Sequence, residues 1–271
     1  MNWLLEKIVF DENLPKFIEA IQKQKHSFAV IEYNFLDADR VLKLFPSNSC
    51  VMTYGTLSLA RHVINKSSWF PGAWCNLLKL ECTHYYNYFG DFLLNKNYIM
   101  VPFGELKRQK EFLFNIIGLN KKIFVRPSSG FKYFTGQLLS YDSFENELNY
   151  LEKYIDDDKV VVCSSPKEII EEYRIVVIDS KVITGSRYKL KDSISSAELK
   201  EDLILKYAQR IADFWSPEIA YVMDVGLTKE SELKLIEINS FSCSGLYNCD
   251  IEKIVIAASA AAEKEFKELE M

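Results

Sequence analysis

Residues 221–239, YVMDVGLTKESELKLIEIN, are two largely apolar stretches around a polar one, which predicts a β-hairpin whose side chains alternate faces with a period of two. Val222, Asp224 and Gly226 fall on one side of its first strand. Leu233, Leu235, Glu237 and Asn239 fall on one side of the second, and the polar segment 228–232 is the turn. Elsewhere the period lengthens to that of helices. Leu14, Phe17, Ile18 and Ile21 form one apolar stripe, with Asn13 as cap and Pro15 in the first turn. Phe144, Leu148, Leu151 and Ile155 form another within a helix over 141–155, started by Asp142 and Glu145 in a capping-box arrangement. Short strands are predicted over 28–33, 50–54, 122–126, 137–140 and 160–162. A bend over 163–167 leads to a strand over 171–178, with Glu172 and Arg174 on one face, and to a hairpin turning at Asp179-Ser180-Lys181. Ser195 and Glu198 predict the start of a helix over 197–215. After a loop over 240–250, Ile251 opens an Ala-rich terminal helix.

Composition narrows the class. The 271 residues, 48% hydrophobic and 26% charged, suit a globular protein of one large or two smaller domains. The texture changes near residue 120, so the expected division is 1–120 and 121–271. A net charge of −5 gives no basic surface for nucleic acid, and no apolar run approaches the length of a membrane span. The opening MNWLLEKIVFDENL meets acids too early for a signal peptide, so a cytoplasmic location is expected. The six cysteines, at 50, 75, 82, 163, 243 and 249, have no paired CxxC spacing and read as reduced, packed thiols. His26, His62 and His84 stand too far apart in sequence to suggest a shared metal.

Candidate chemistry concentrates in two places. Asp224, Glu237 and Asn239 put three oxygen-bearing side chains on the facing strands of one hairpin. Buried carboxylates need a partner or a cation, and such a set suits Mg²⁺; an exposed face of an edge hairpin is the alternative. Arg126-Pro127, the small-residue run Ser128-Ser129-Gly130 and Lys132 form a loop flanked by two cations, a pattern that suits phosphate although the Walker Gly-Lys-Ser/Thr is absent. A third stretch, Gly55-Thr56 before a helix over 57–65, reads either as an anion site, with Arg61 one turn on, or as a tight turn capped by Thr56. The aromatic turn 69–74 and Tyr85, Tyr86, Tyr88 and Phe89 read as packing.

The order of motifs carries a resemblance. Arg126-Pro127 with Lys132, Glu172-Tyr173-Arg174, Ser186-Arg187-Tyr188, Asp224-Val225 and Glu237-Ile238-Asn239 resemble, in sequence order, an ATP-grasp domain. The likeness is to the divergent bacterial and phage clade that also contains the eukaryotic cell-division-cycle factor assisting translation initiation factor assembly. Gly55-Thr56 and Pro71-Gly72-Ala73-Trp74 extend it into the N-terminal region. The resemblance implies an α+β fold in which two lobes hold ATP between them, with 1–120 as an α/β pre-grasp domain and 121–271 as the ATP-grasp domain. It implies that Arg126 and Lys132 meet the phosphates, with arginine where most relatives carry lysine, a change that favours bidentate phosphate contact. It implies that Val162, Cys163 and Ser164 offer hinge backbone to adenine and that Glu172 meets the ribose or the phosphate end. Arg174 and Arg187, with Lys132, are the implied catalytic cations, and Asp224, Glu237 and Asn239 the implied Mg²⁺ ligands.

The activity implied is a carboxylate–amine ligase working through an acyl-phosphate, on a small-molecule, peptide or protein substrate. Positioning and charge stabilisation dominate such chemistry, and the sequence offers cations and metal ligands without a nucleophile–histidine pair. Two rivals remain open: an ATP-dependent phosphotransferase, and a non-catalytic nucleotide-binding assembly factor.

Overall fold

The computed structural model describes residues 1–7, 12–191, 193–199 and 202–269. The chain runs β1 (Asn2–Glu6), α1 (Leu14–Lys23), β2 (Ser27–Ile31), α2 (Ala38–Val41), β3 (Cys50–Tyr54), α3 (Leu57–Lys66), β4 (Phe70–Gly72), α4 (Cys82–Phe89) and β5 (Tyr98–Pro102). It continues through α5 (Lys110–Ile117), β6 (Lys122–Pro127), β7 (Gln137–Ser140), α6 (Phe144–Leu151), β8 (Val160–Ser164), β9 (Ile169–Ile178), β10 (Lys181–Leu190) and β11 (Ser193–Glu198). Helix α7 (Asp202–Phe214), β12 (Ala220–Thr228), β13 (Leu233–Ser240) and α8 (Ile251–Leu269) complete it. The fold is mixed α+β with three sheets, ordered β2-β1-β3-β4, β11-β10-β9-β12-β13 and β5-β8-β6-β7. Contacts group the chain into two compact units. Unit 1 comprises Met1–Asn76, Glu171–Gly226 and Glu237–Met271, and unit 2 comprises Leu77–Ile170 and Leu227–Ile236. Compactness thus divides the chain differently from the change of texture near residue 120.

Unit 1 is built on one large apolar core. Trp3 and Leu5 of β1, Phe17 and Ile21 of α1, Val176 and Ile178 of β9, Val222 of β12, and Ile254, Val255 and Ala258 of α8 all bury into it. Strand β1, whose run Trp3-Leu4-Leu5 is fully buried, lies parallel between β2 and β3. Such a strand carries no period-two alternation because both faces are covered. The Asp179-Ser180 turn between β9 and β10 has both residues at positive φ, 51° and 59°, the conformation whose twist suits a two-residue hairpin. Helix α1 begins where expected, but Asn13 does not cap it. Its amide Nδ2 donates instead to the Tyr247 carbonyl at 3.0 Å.

Of the helix expected over 197–215, Asp202–Phe214 is helical, and residues 200 and 201 lie outside the described ones. Ser195 and Glu198 belong to β11, which pairs antiparallel with β10 in the register Ser186↔Glu198 and Arg187↔Ala197. A serine-rich stretch with a glutamate three residues on looks like a helix start in isolation, and the edge of β10 gives it a ladder instead.

Unit 2 packs α5 and α6 on the sheet β5-β8-β6-β7, with Leu113, Ile117, Ile123, Val125, Phe144, Leu148, Val161 and Cys163 in its core. The helix expected over 141–155 is shorter, Phe144–Leu151, though Ile155 still buries. Glu147, rather than Glu145, secures its start. It accepts from the Ser143 hydroxyl at 2.7 Å and from the Ser140 amide at 2.9 Å. None of the helices among the described residues is long and apolar enough to cross a membrane.

Candidate functional site

In unit 1 the centre of the site is Arg174 on β9. Strands β9 and β12 are neighbours in the sheet, which brings Arg174 opposite Asp224 from 50 positions away. Arg174 Nε donates to Asp224 Oδ1 at 2.7 Å and Nη2 to Oδ2 at 2.8 Å, a bidentate fork. The two side chains are only 9% and 2% exposed. Burial works against the charge on Arg174, and the Asp224 carboxylate overrides it, so the guanidinium titrates above its ordinary range. Nη1 donates to the Gly245 carbonyl at 2.8 Å. The guanidinium also lies within 5.5 Å of the Tyr188 ring centroid and 5.2 Å of the Tyr247 centroid, and those rings stack on each other at 4.8 Å.

Around this pair lie the other predicted residues of β9 and β10. Glu172 accepts from the Tyr188 hydroxyl at 2.6 Å and from Lys189 at 2.7 Å. Burial, followed by the charges of Asp224 and Glu172, pushes the Tyr188 hydroxyl far above its usual titration, so it acts as a donor. Arg187 is half-buried, pairs with Glu171 at 3.4 Å, and leaves its buried Nε without a hydrogen-bond partner. Tyr247 was not expected at the site. It sits at φ 50° in the loop after β13, and only the tertiary fold brings its ring to Arg174.

The predicted cation ligands divide. Glu237 and Asn239 alternate onto one face of β13 as expected, and Asn239 Nδ2 donates to Glu237 Oε1 at 2.9 Å. That leaves the amide oxygen of Asn239 for a further contact, and a carboxylate beside an amide oxygen is a donor set for a hard cation. Asp224 is engaged differently, since each of its oxygens accepts a bond from Arg174. Each keeps a second lone pair, so Asp224 fits as a ligand only while shared with the guanidinium. Among the described residues there is no group of three His, Cys, Asp or Glu side chains placed to hold a metal.

In unit 2, Arg126 lies on β6, half-buried, its Nη1 3.5 Å from the Ile236 carbonyl. Lys132 is exposed in the loop joining β6 to β7. The conformational freedom of that loop does not rest on Gly130; Lys132 itself takes the positive φ, 50°. Ser128 is buried, its hydroxyl accepting from the Thr83 amide at 3.1 Å, so the first part of the loop is anchored to α4.

The resemblance places the adenine hinge at Val162, Cys163 and Ser164. These residues form the end of β8, a central strand with Met100, Ile99 and Tyr98 opposite on one side and Arg126, Val125 and Phe124 on the other. A strand flanked on both sides gives its N–H and C=O groups to the ladders, so little backbone is left for a ligand. Cys163 is fully buried and burial pushes its thiol up to about 12. The ladder ends just beyond, and residues 165–168 have no regular structure, with the Glu168 carbonyl accepting from the Lys229 amide at 3.1 Å.

Gly55-Thr56 resolves as a capped turn. The Thr56 hydroxyl accepts from the Leu59 amide at 3.2 Å, and the Thr56 amide donates to the buried Glu6 carboxylate at 2.7 Å. The protein's own carboxylate therefore occupies the anion position, and a Cβ on Gly55 would meet Glu6 Oε2 at 2.6 Å.

A family described as an ATP-grasp domain, family 2 of its clade, matches residues 107–256. No curated protein matches the sequence. Among solved structures, the D-cycloserine synthetase DcsG is similar at 12% identity and TM-score 0.66, over 97% of this chain and 99% of that one. The D-alanine–D-alanine ligase from Bacillus anthracis is similar at 14% identity and TM-score 0.60, over 99% of this chain and 96% of that one. The ATP-grasp ligase PsnB, solved with precursor peptide PsnA2 and AMPPNP, is similar at 12% identity and TM-score 0.58, over 96% and 98%. At these identities the likeness is one of fold.

Proposed function

The chain belongs to this ATP-grasp domain family, and from that premise we propose that it is an ATP-dependent ligase that joins a carboxylate to an amine. The observation that carries this reading is the extent of the family match. Residues 107–256 contain Arg126, Lys132, Glu172, Arg174, Arg187, Asp224, Glu237 and Asn239, every side chain the resemblance assigns to the chemistry.

In the proposed reaction a substrate carboxylate takes the γ-phosphoryl group of ATP, giving an acyl-phosphate and ADP, and an amine then displaces phosphate. Arg126 binds phosphate through its guanidinium fork, and the exposed Lys132 meets charge that develops during transfer. Backbone over 165–168, in place of Val162, Cys163 and Ser164, serves the purine. Glu237 and Asn239 would hold Mg²⁺, with Asp224 as a shared third ligand; bound there, the ion would neutralise phosphate charge. Arg187, with its unpartnered Nε, binds the anionic group of the carboxylate substrate or its phosphorylated form. Arg174 acts through Asp224 and Gly245 and fixes their positions. We propose further that residues 1–120 contribute to the choice of substrate, and that this substrate is a small molecule or a peptide.

A non-catalytic assembly role is the second reading, and one observation favours it. Arg174 and Asp224 engage each other rather than standing open to ligands. A screen of carboxylate and amine pairs for ADP release, with products read by mass spectrometry, separates the two. Ligation requires ADP release that depends on both substrates. ATP binding without turnover on any pair would leave the assembly role.

A further inference from the structure

Cys75 and Cys243 are 168 positions apart in sequence, and both lie in unit 1. The fold brings their sulfurs to 3.8 Å, with the Cys243 thiol donating to Cys75 Sγ. The backbone enforces this approach. The Ser240 hydroxyl donates to the Trp74 carbonyl at 2.8 Å, the Ser242 amide donates to the same carbonyl at 3.3 Å, and the Trp74 amide donates to the Ser242 hydroxyl at 3.0 Å. Each cysteine follows one member of the Trp74–Ser242 contact. Cys75 is buried and Cys243 is half-buried, so the pair is reached from the Cys243 side.

We propose that Cys75 and Cys243 are a thiol oxidation site, which a hydroperoxide closes to a disulfide across the start of the 240–250 loop. Cys75 is the attacking sulfur. The hydrogen bond from Cys243 is the main influence lowering its titration, against burial, and Ser240 and the Arg61 charge act in the same direction, bringing it to about 7. Cys243 moves the other way, because it donates to Cys75 and is buried, with Glu218 the charged group that adds to the shift. The Cys75 thiolate attacks one oxygen of the hydroperoxide, ROOH. The O–O bond breaks, ROH leaves after taking up a proton, and Cys75 becomes a sulfenic acid. The Cys243 sulfur then attacks the sulfenic sulfur, the S–O bond breaks, and the hydroxide leaves as water with the Cys243 proton. The two thiols lose two electrons and the hydroperoxide gains them. Closure draws the sulfurs from 3.8 Å to about 2.05 Å, the length of a disulfide. The new bond would tie Cys75 to the loop that presents the Gly245 carbonyl and the Tyr247 ring to Arg174.

The test needs neither ATP nor substrate, so it is independent of the ligase reading. The full chain is treated with hydrogen peroxide at pH 7, quenched by alkylation and mapped without reduction. A peptide linking Cys75 to Cys243, lost on addition of a reductant, is expected. It should form at least about a hundredfold faster than Cys50, Cys163 or Cys249 oxidises, because burial holds those thiols at about 11, 12 and 12 and leaves almost no thiolate. In Cys243→Ser the sulfenic acid should persist at Cys75 and take a dimedone label there. Two free thiols after treatment, a Cys75 disulfide to another cysteine, or dimedone labelling away from Cys75 would each overturn the assignment.

Discussion

Asp224→Asn should cost unit 1 a large part of its stability. From the sequence it removes a metal ligand and leaves the fold intact. In the structure it also removes the counter-ion of a guanidinium that is 9% exposed. Asparagine keeps one oxygen for Arg174 and turns an amino group toward the other N–H, so a charge-assisted bond is lost and two donors face each other. Breaking a buried pair by removing one partner costs about 3–5 kcal/mol, a large part of the roughly 5–15 kcal/mol that holds a typical protein folded. All four tryptophans, Trp3, Trp69, Trp74 and Trp215, lie in unit 1 with the pair, so their fluorescence reports the unfolding of that unit. Urea unfolding followed by tryptophan emission should show a loss of about 3–5 kcal/mol in Asp224→Asn. Arg174→Met combined with Asp224→Leu should lose much less than the two single changes together, because no uncompensated charge remains buried. A loss below about 1 kcal/mol in Asp224→Asn would refute this, since it would place the pair among solvent-screened surface bridges.

Other outcomes follow from single contacts. Arg126→Ala should weaken nucleotide binding about ten- to a hundred-fold, from a charge-assisted bond of about 1.5–3 kcal/mol, whereas Lys132→Ala should mainly lower turnover; calorimetry and saturating-ATP rates separate the two. Cys163→Ala should destabilise unit 2 by about 1 kcal/mol in thermal melts while ATP affinity changes well under tenfold. Glu265 accepts from the Trp74 indole at 2.7 Å, yet burial, the largest influence, raises its titration above the ordinary carboxylate value. A raised folded value means stability is lost as pH climbs through it. Glu265→Gln should therefore raise the melting temperature at pH 7 and leave it unchanged near pH 4.

Two largely apolar stretches around a polar turn made the β12–β13 hairpin legible, and the period of two gave the shared face of Glu237 and Asn239, because both facts depend only on local geometry. The strand–Gly55–Thr56–helix unit and the start of α8 at Ile251 were legible for the same reason. The Arg174–Asp224 pair was not, since only the adjacency of β9 and β12 joins residues so far apart. The central place of Val162-Cys163-Ser164 was not legible either, because the stretch gives no local sign of having strands on both sides. Strand β1 carries no alternation to detect, and β11 takes its conformation from the neighbouring β10. Asn13 sits at a cap position but turns its amide to Tyr247, a partner that lies 234 positions away.

Ligase chemistry at Glu237 and Asn239 is tested most directly by ADP release measured with carboxylate alone, amine alone and both together, in the parent and in Glu237→Gln. Release that requires Mg²⁺ and rises only when both substrates are present is expected from the parent. In Glu237→Gln the Mg²⁺ dependence should shift to much higher concentration while circular dichroism stays unchanged. Equal release and equal Mg²⁺ dependence in the two proteins would contradict the cation assignment. ADP release indifferent to the amine, with a stable phosphorylated product, would contradict the ligase.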